Sequence, residues 1–144
     1  MKHKKEPVME IFIEMDPEGI VEFASELGYV KMIPFSGRVD SPIFSGIVEP
    51  CGVDTQITNQ SDVRHMSARY MLTGRDADGQ ECHIYVENNG WFTDGAQPKP
   101  FRTVPTFITD SKRLAPYLHR NQFCGEGLRD DTGLWIRFYE VENE

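Results

Sequence analysis

The chain has 144 residues, enough for one domain with a continuous core. Its formal net charge is -8 at pH 7, and its one basic cluster is Lys2, Lys4 and Lys5. Nucleic-acid binders need Lys and Arg clustered over a surface, so no nucleic-acid partner is expected. No run approaches the ~20 apolar residues of a membrane-spanning helix, and no membrane partner is expected either.

Residues 1–7 read as a frayed, basic, solvated leader; Glu10, Glu14 and Asp16 interrupt the apolar segment that an export signal would need. Residues 8–144 read as a single domain. Cys51, Cys82 and Cys124 are odd in number and form no C-x-x-C pair. That argues against a disulfide framework or zinc knuckle and for the reducing cytoplasm.

Strand signals dominate in chain order. Val8–Met15 alternates, and Asp16-Pro17-Glu18-Gly19 reads as a turn. Ile20–Leu27 fits either a short helix or a strand, with the strand favoured. Tyr29–Phe35 is β-rich, and Gly37, Asp40, Ser41 and Pro42 are expected to break it. Ile43–Val48 and Val53–Thr58 follow, separated by Pro50-Cys51-Gly52.

Met66–Asn89 carries the clearest local signal, two alternating runs around Asp76-Ala77-Asp78-Gly79. A two-residue loop would mix polar and apolar residues on both faces. A three-residue loop with Gly79 left-handed pairs Asp76 with Gln80 and segregates them. Leu72, Tyr70 and Ala68 then meet Ile84, Val86 and Asn88 on one face. Arg75 meets Glu81 and Arg69 meets Glu87 on the other, pairs worth roughly 0.2–1 kcal/mol each. A one-residue slip would flip every side chain, so the segregated register is expected.

Phe101–Thr109 is the next strand, with Pro105 marking an edge, end or bulge. The single late helix falls within Asp110–Asn121, capped by Asp110 or Ser111 and opening or kinking near Pro116. Phe123–Gly127 and Leu134–Val141 close the domain. The pattern predicts an all-β protein, a barrel or sandwich, and a barrel removes exposed edges while making its mouth a natural ligand site.

Several segments resemble a known family: Phe44-Ser-Gly46-Ile-Val-Glu-Pro50-Cys-Gly52-Val-Asp54, Ala68-Arg-Tyr70, Asp78-Gly79 and Ile84-Tyr-Val86-Glu-Asn88-Asn-Gly90. Phe101-Arg-Thr103-Val-Pro105-Thr-Phe107 and Phe138-Tyr-Glu140-Val141 complete the set. In order and spacing, from Met32 to Val141, they are similar to the domain of unknown function 3237 family, also called uncharacterised protein family 0311. The resemblance implies an up-and-down antiparallel barrel of about eight strands and little about activity. It departs at Cys51-Gly52-Val53-Asp54-Thr55, where the family commonly has Gly-Gly-Ala-Asp-Trp: the aspartate is kept and the tryptophan lost.

Asp54 opens a strand after a glycine-containing turn and could serve as a general base if burial raises its pKa; the alternative is a turn cap. Arg102 shares a face with Val104, Thr106 and Ile108, where an inward guanidinium would clamp a carboxylate or stabilise an enolate; the alternative is a surface ion pair. Tyr70 and Asn88 enter the lumen if the apolar hairpin face lines it, and are otherwise satisfied core groups. Trp91, Phe92, Trp135 and Tyr139 are stacking candidates, and Phe107 and Glu140 complete the expected ligand contacts. Cys51 is a nucleophile type with no histidine near it in sequence. His65 and His83 lie eight ladder positions apart, about 27 Å at strand rise, too far to share a metal. No metal spacing, phosphate loop or dinucleotide fingerprint is present, so neither metal nor cofactor is expected.

The leading expectation is a barrel that binds a small, partly apolar organic molecule. It would act as a cofactor-free isomerase, lyase or hydratase, with Asp54 moving the proton and Tyr70 and Arg102 stabilising an enolate-like oxygen. A non-catalytic carrier and a filled-barrel interaction protein are the alternatives, and a homodimer is the expected oligomer.

Overall fold

The computed structural model describes residues 2–93 and 98–142. Ten strand segments run β1 Met9–Met15, β2 Val21–Ser25, β3 Gly28–Asp40, β4 Phe44–Val48, β5 Val53–Asn59, β6 Arg64–Asp76, β7 Glu81–Phe92, β8 Phe101–Thr109, β9 Phe123–Asp130 and β10 Gly133–Glu140. One short helix, α1 Ala115–Leu118, lies between β8 and β9. All pairings are antiparallel between neighbours, and β1 closes the sheet by pairing with both β10 and β3.

Ten segments make eight barrel strands because two of the strands are interrupted. β1 and β2 pair successive stretches of β3, as do β4 and β5 on its other side. The first break falls at Pro34, which has no N–H to donate to a neighbour. There the chain leaves the ladder in a 3-10 turn over Pro17–Gly19, and Asp16 N donates to Pro34 O at 2.9 Å. The second break is a tight turn in which Gly52 N donates to Glu49 O at 3.1 Å.

Ile20–Leu27 resolves in favour of the strand. Gly37 does not end β3 as expected but lies inside it. A Cβ there would strike the backbone of Phe12, so glycine permits the close approach of β1 and β3. The β6–β7 hairpin has the segregated register: Asp76 N donates to Gln80 O at 3.1 Å, Gly79 has φ +78, and Tyr70 opposes Val86. Arg69–Glu87 and Arg75–Glu81 pair at 2.8 and 3.1 Å on the outer face. Pro105 sits where the β8–β9 ladder, which runs only over Phe101–Thr103, has already stopped.

The helix is shorter than the Asp110–Asn121 span. Pro116 falls in its first turn, and Ser111 Oγ accepts from Leu114 N at 3.1 Å ahead of it. Leu114 and Leu118 pack against the core, which includes Leu72, Ile84, Phe107 and Phe138. Nor is the leader a free tail from His3 onward: His3 bridges Val141, and Lys4 N donates to Glu140 O at 2.9 Å.

Candidate functional site

The packed core does not fill the whole lumen. A cavity of about 400 Å³ lies there, within the usual range of about 300–1,000 Å³ for small-molecule sites. The period-2 alternation of strands aims one face of each into it, and the pairing register sorts its lining into cross-strand rows. Ile33, Asp54, Ala68 and Asn88 form one row across β3, β5, β6 and β7. Lys31, Gln56 and Met66 form the next. Tyr70 lies two residues from Ala68 on one side, and Arg64 lies two residues from Met66 on the other. Thr103 joins from β8, two residues from Phe101, whose ring lies over Gly127.

The hairpin's apolar face is therefore the lumen face. Tyr70 and Asn88 both line the cavity with Asp54, and Ala68 between Asp54 and Asn88 leaves the space open. Asp54 Oδ1, Tyr70 OH, Asn88 Oδ1 and Thr103 Oγ1 are all buried and have no hydrogen-bond partner among the described residues. Tyr70 is 3 % exposed and its ring meets Phe35 edge-on at 5.2 Å. Burial pushes its phenol well above the ordinary tyrosine range, so it stays a proton-bearing donor.

Asp54, 6 % exposed, accepts one side-chain hydrogen bond among the described residues, from Gln56 Nε2 to Oδ2 at 2.9 Å. Loss of hydration pushes its carboxyl above the usual range; the Gln56 bond and the nearby Arg64 and His65 work against that rise. The arrangement is a carboxyl of raised proton affinity beside a phenol donor in a partly apolar chamber. Such a pair can hold a polar ligand and can exchange a proton with it.

Arg102 is not part of this chamber. On β8 the inward residues are Phe101, Thr103, Pro105 and Phe107, so Arg102 is exposed, opposite Glu126 on β9. Phe107 is core, edge-on to Phe123 and Phe138 at 5.4 and 5.2 Å, and does not line the cavity. Trp91, 59 % exposed, stacks on His65 outside the barrel at 4.6 Å. Tyr139 stacks on His3 at 4.2 Å, and Glu140 pairs with Tyr117, Lys4 and Arg120; both lie away from the cavity. Trp135 packs against Phe12, while Phe92 packs edge-on to Phe101. Cys51 is exposed and Cys82 is buried. The expected aromatic contacts are thus replaced by Phe35, Phe101 and Thr103, together with Lys31, Gln56 and Arg64. Alternation alone carries a signal for Arg64: it is on the face of Tyr70, Ala68 and Met66.

Fold and chamber define a class, the closed eight-stranded antiparallel barrel with a cavity in its lumen. The chain belongs to the family described as Protein of unknown function (DUF3237), whose model matches residues 3–141. It is 31% identical over 151 residues to a UPF0311 protein of Clostridium acetobutylicum, covering 94% of this chain and 92% of that one. A crystal structure of a protein with unknown function from the same organism superimposes with a TM-score of 0.76 at 30% identity over 99% of both chains. A conserved protein of unknown function from Rhodopseudomonas palustris gives 0.75 at 25% identity over 99% of both.

Proposed function

We propose that this protein is a small-molecule-binding barrel whose cavity takes a partly apolar organic ligand. One observation carries the reading: four buried polar atoms, on Asp54, Tyr70, Asn88 and Thr103, lack a partner among the described residues and belong to side chains lining one cavity. A buried donor or acceptor left unsatisfied costs about 1–3 kcal/mol, and a ligand that supplies the partners offsets that cost. Native mass spectrometry, followed by denaturation and small-molecule analysis, tests it. A stoichiometric organic molecule supports the reading; an empty barrel that shows no thermal shift across a metabolite library refutes it.

A catalytic reading is favoured by the raised proton affinity of Asp54. In a cofactor-free isomerase or lyase, the Asp54 carboxylate would take a proton from the carbon beside a carbonyl, and the Tyr70 hydroxyl would donate to the resulting enolate oxygen. In isomerisation, Asp54 then returns the proton to another carbon, and no oxidant or reductant is needed. Asp54→Asn should keep binding and lose turnover; full turnover in that variant removes the role. Recovery of an unchanged ligand from the wild type would favour a carrier. We also read the chain as cytoplasmic, since its three cysteines are free.

A further inference from the structure

We infer that the ligand is an organic anion, its charged group held at the cavity mouth and its body reaching down to Asp54 and Tyr70. This rests on the ligand-binding reading above and goes beyond it in naming the ligand's charge and direction.

The cavity's charge runs against that of the whole chain. The protein has 15 Lys and Arg against 23 Asp and Glu. Among the described residues, however, the lining contains Lys31, Arg64, Lys99 and Arg129 and one carboxylate, Asp54. The cations also lie toward one end of the barrel. Lys31 is two residues beyond Ile33, the row-mate of Asp54, and Arg64 is four beyond Ala68 on the same face of β6. Arg129 is next to the end of β9, and Lys99 precedes β8, so both approach from the turns that ring the same end.

Among the described residues, the carboxylate partners of Lys31, Lys99 and Arg129 are few. Lys31 Nζ reaches Glu22 only at 4.0 Å, and Lys99 and Arg129 form no ion pair among the described residues. Asp130 is beside Arg129 in sequence, but its carboxylate is taken up by Thr132 and Gly133 in its own turn. The Arg64 guanidinium lies over the Phe92 ring, 5.3 Å from its centroid. Below the cations, the buried Tyr70 hydroxyl and Asn88 carbonyl oxygen have no charge of their own and lack partners. A cationic rim above a partly apolar floor whose one ionisable acid is Asp54 fits a molecule with a carboxylate or phosphate at one end.

Matched probes test this: benzoate against benzamide, cinnamate against cinnamamide, and naphthalene-2-carboxylate against its carboxamide, titrated calorimetrically at low salt. At least one carboxylate should bind about tenfold or more tightly than its amide, and 0.5 M NaCl should erase most of the difference. Lys99→Gln/Arg129→Gln, at exposed positions where folding is not at stake, should reduce the preference severalfold; Arg64→Gln should reduce it further. Amides that bind as well as the carboxylates overturn the charge assignment and leave the ligand-binding reading standing. Failure of every probe, charged and neutral, counts against both.

Discussion

Replacing Tyr70 by Phe should stabilise the ligand-free protein and weaken ligand binding. The substitution removes one oxygen. That oxygen is buried and has no hydrogen-bond partner among the described residues, so the folded state bears its desolvation uncompensated. The ring stays, and with it the edge-on contact to Phe35 at 5.2 Å. An uncompensated buried polar group costs about 1–3 kcal/mol, so the low end, about 1 kcal/mol, is a conservative gain. At about 2.1 cal/mol/K of unfolding entropy per residue, a chain of 144 residues gains roughly 3 °C in melting temperature per kcal/mol. With ligand bound, the same hydroxyl is a donor, and its loss should cost about 0.5–1.5 kcal/mol, roughly two- to twelvefold in affinity. Scanning calorimetry and titration of one variant thus give changes of opposite sign. A melting temperature lowered by 3 °C or more would refute the reasoning, because the hydroxyl would then be contributing to the fold rather than waiting for a ligand.

Asp54→Asn should show a pH-dependent difference from the wild type in urea denaturation. The folded carboxyl has a raised pKa, so between the unfolded value of about 3.9 and the folded one the native state holds the extra proton. Wild-type stability from this group therefore falls as pH rises through that window, and Asn removes the fall. The variant's advantage should grow upward from about pH 4 and then level off; a constant or shrinking difference counts against a desolvated Asp54. Gly127→Ala places a methyl group in the space of the Phe101 ring. It should cost about 1–3 kcal/mol and reduce probe binding, since the displaced ring lines the cavity; unchanged stability and binding would mean the ring has room to move. Gly79→Ala meets no atom but must adopt φ +78, so it should cost about 1 kcal/mol by chemical denaturation. Gly79→Asn should recover part of that loss, and an Ala variant as stable as wild type would contradict the turn geometry.

Local patterns that had one low-energy solution were legible in the sequence. The β6–β7 register follows from segregating apolar from charged residues, and Asp76–Gly79 permits the loop that this register needs. Patterns with two solutions were not. On β8 both faces are largely apolar, and Val104 and Ile108 remain 52% and 63% exposed. Alternation therefore left open which face turns inward, and Arg102 was assigned to the wrong one. Phe101 and Phe107 could have settled it, because two buried aromatics outweigh a valine and an isoleucine. Gly37 misled for a related reason: glycine marks either the end of a strand or a place where two backbones approach, and only the neighbouring strand decides. The cavity is harder still, since its residues come from eight of the ten strand segments and meet only through the register of the closed barrel.

Position sets Asp54 apart more than residue type does. Asp76, Asp110 and Asp130 all have carboxyls held below the ordinary range, and each accepts from backbone N–H groups: Asp76 from Asp78 and Gln80, Asp110 from His83, Asp130 from Thr132 and Gly133. Asp76 and Asp130 sit at turns and Asp110 just past the end of β8, where the ladder no longer claims every donor. Asp54 lies inside β5, with β3 on one side and β6 on the other. Both neighbours are hydrogen-bonded ladders, so the backbone donors around it are committed, and Gln56 supplies its one side-chain bond. A carboxyl in that setting can lower its free energy by keeping a proton or by meeting a ligand, and the open cavity in front of it makes the second available. A sequence reader could have drawn the distinction: an aspartate in a turn finds donors in its own loop, whereas an aspartate facing the lumen from within a paired strand must find its partner across the barrel or in what the barrel binds.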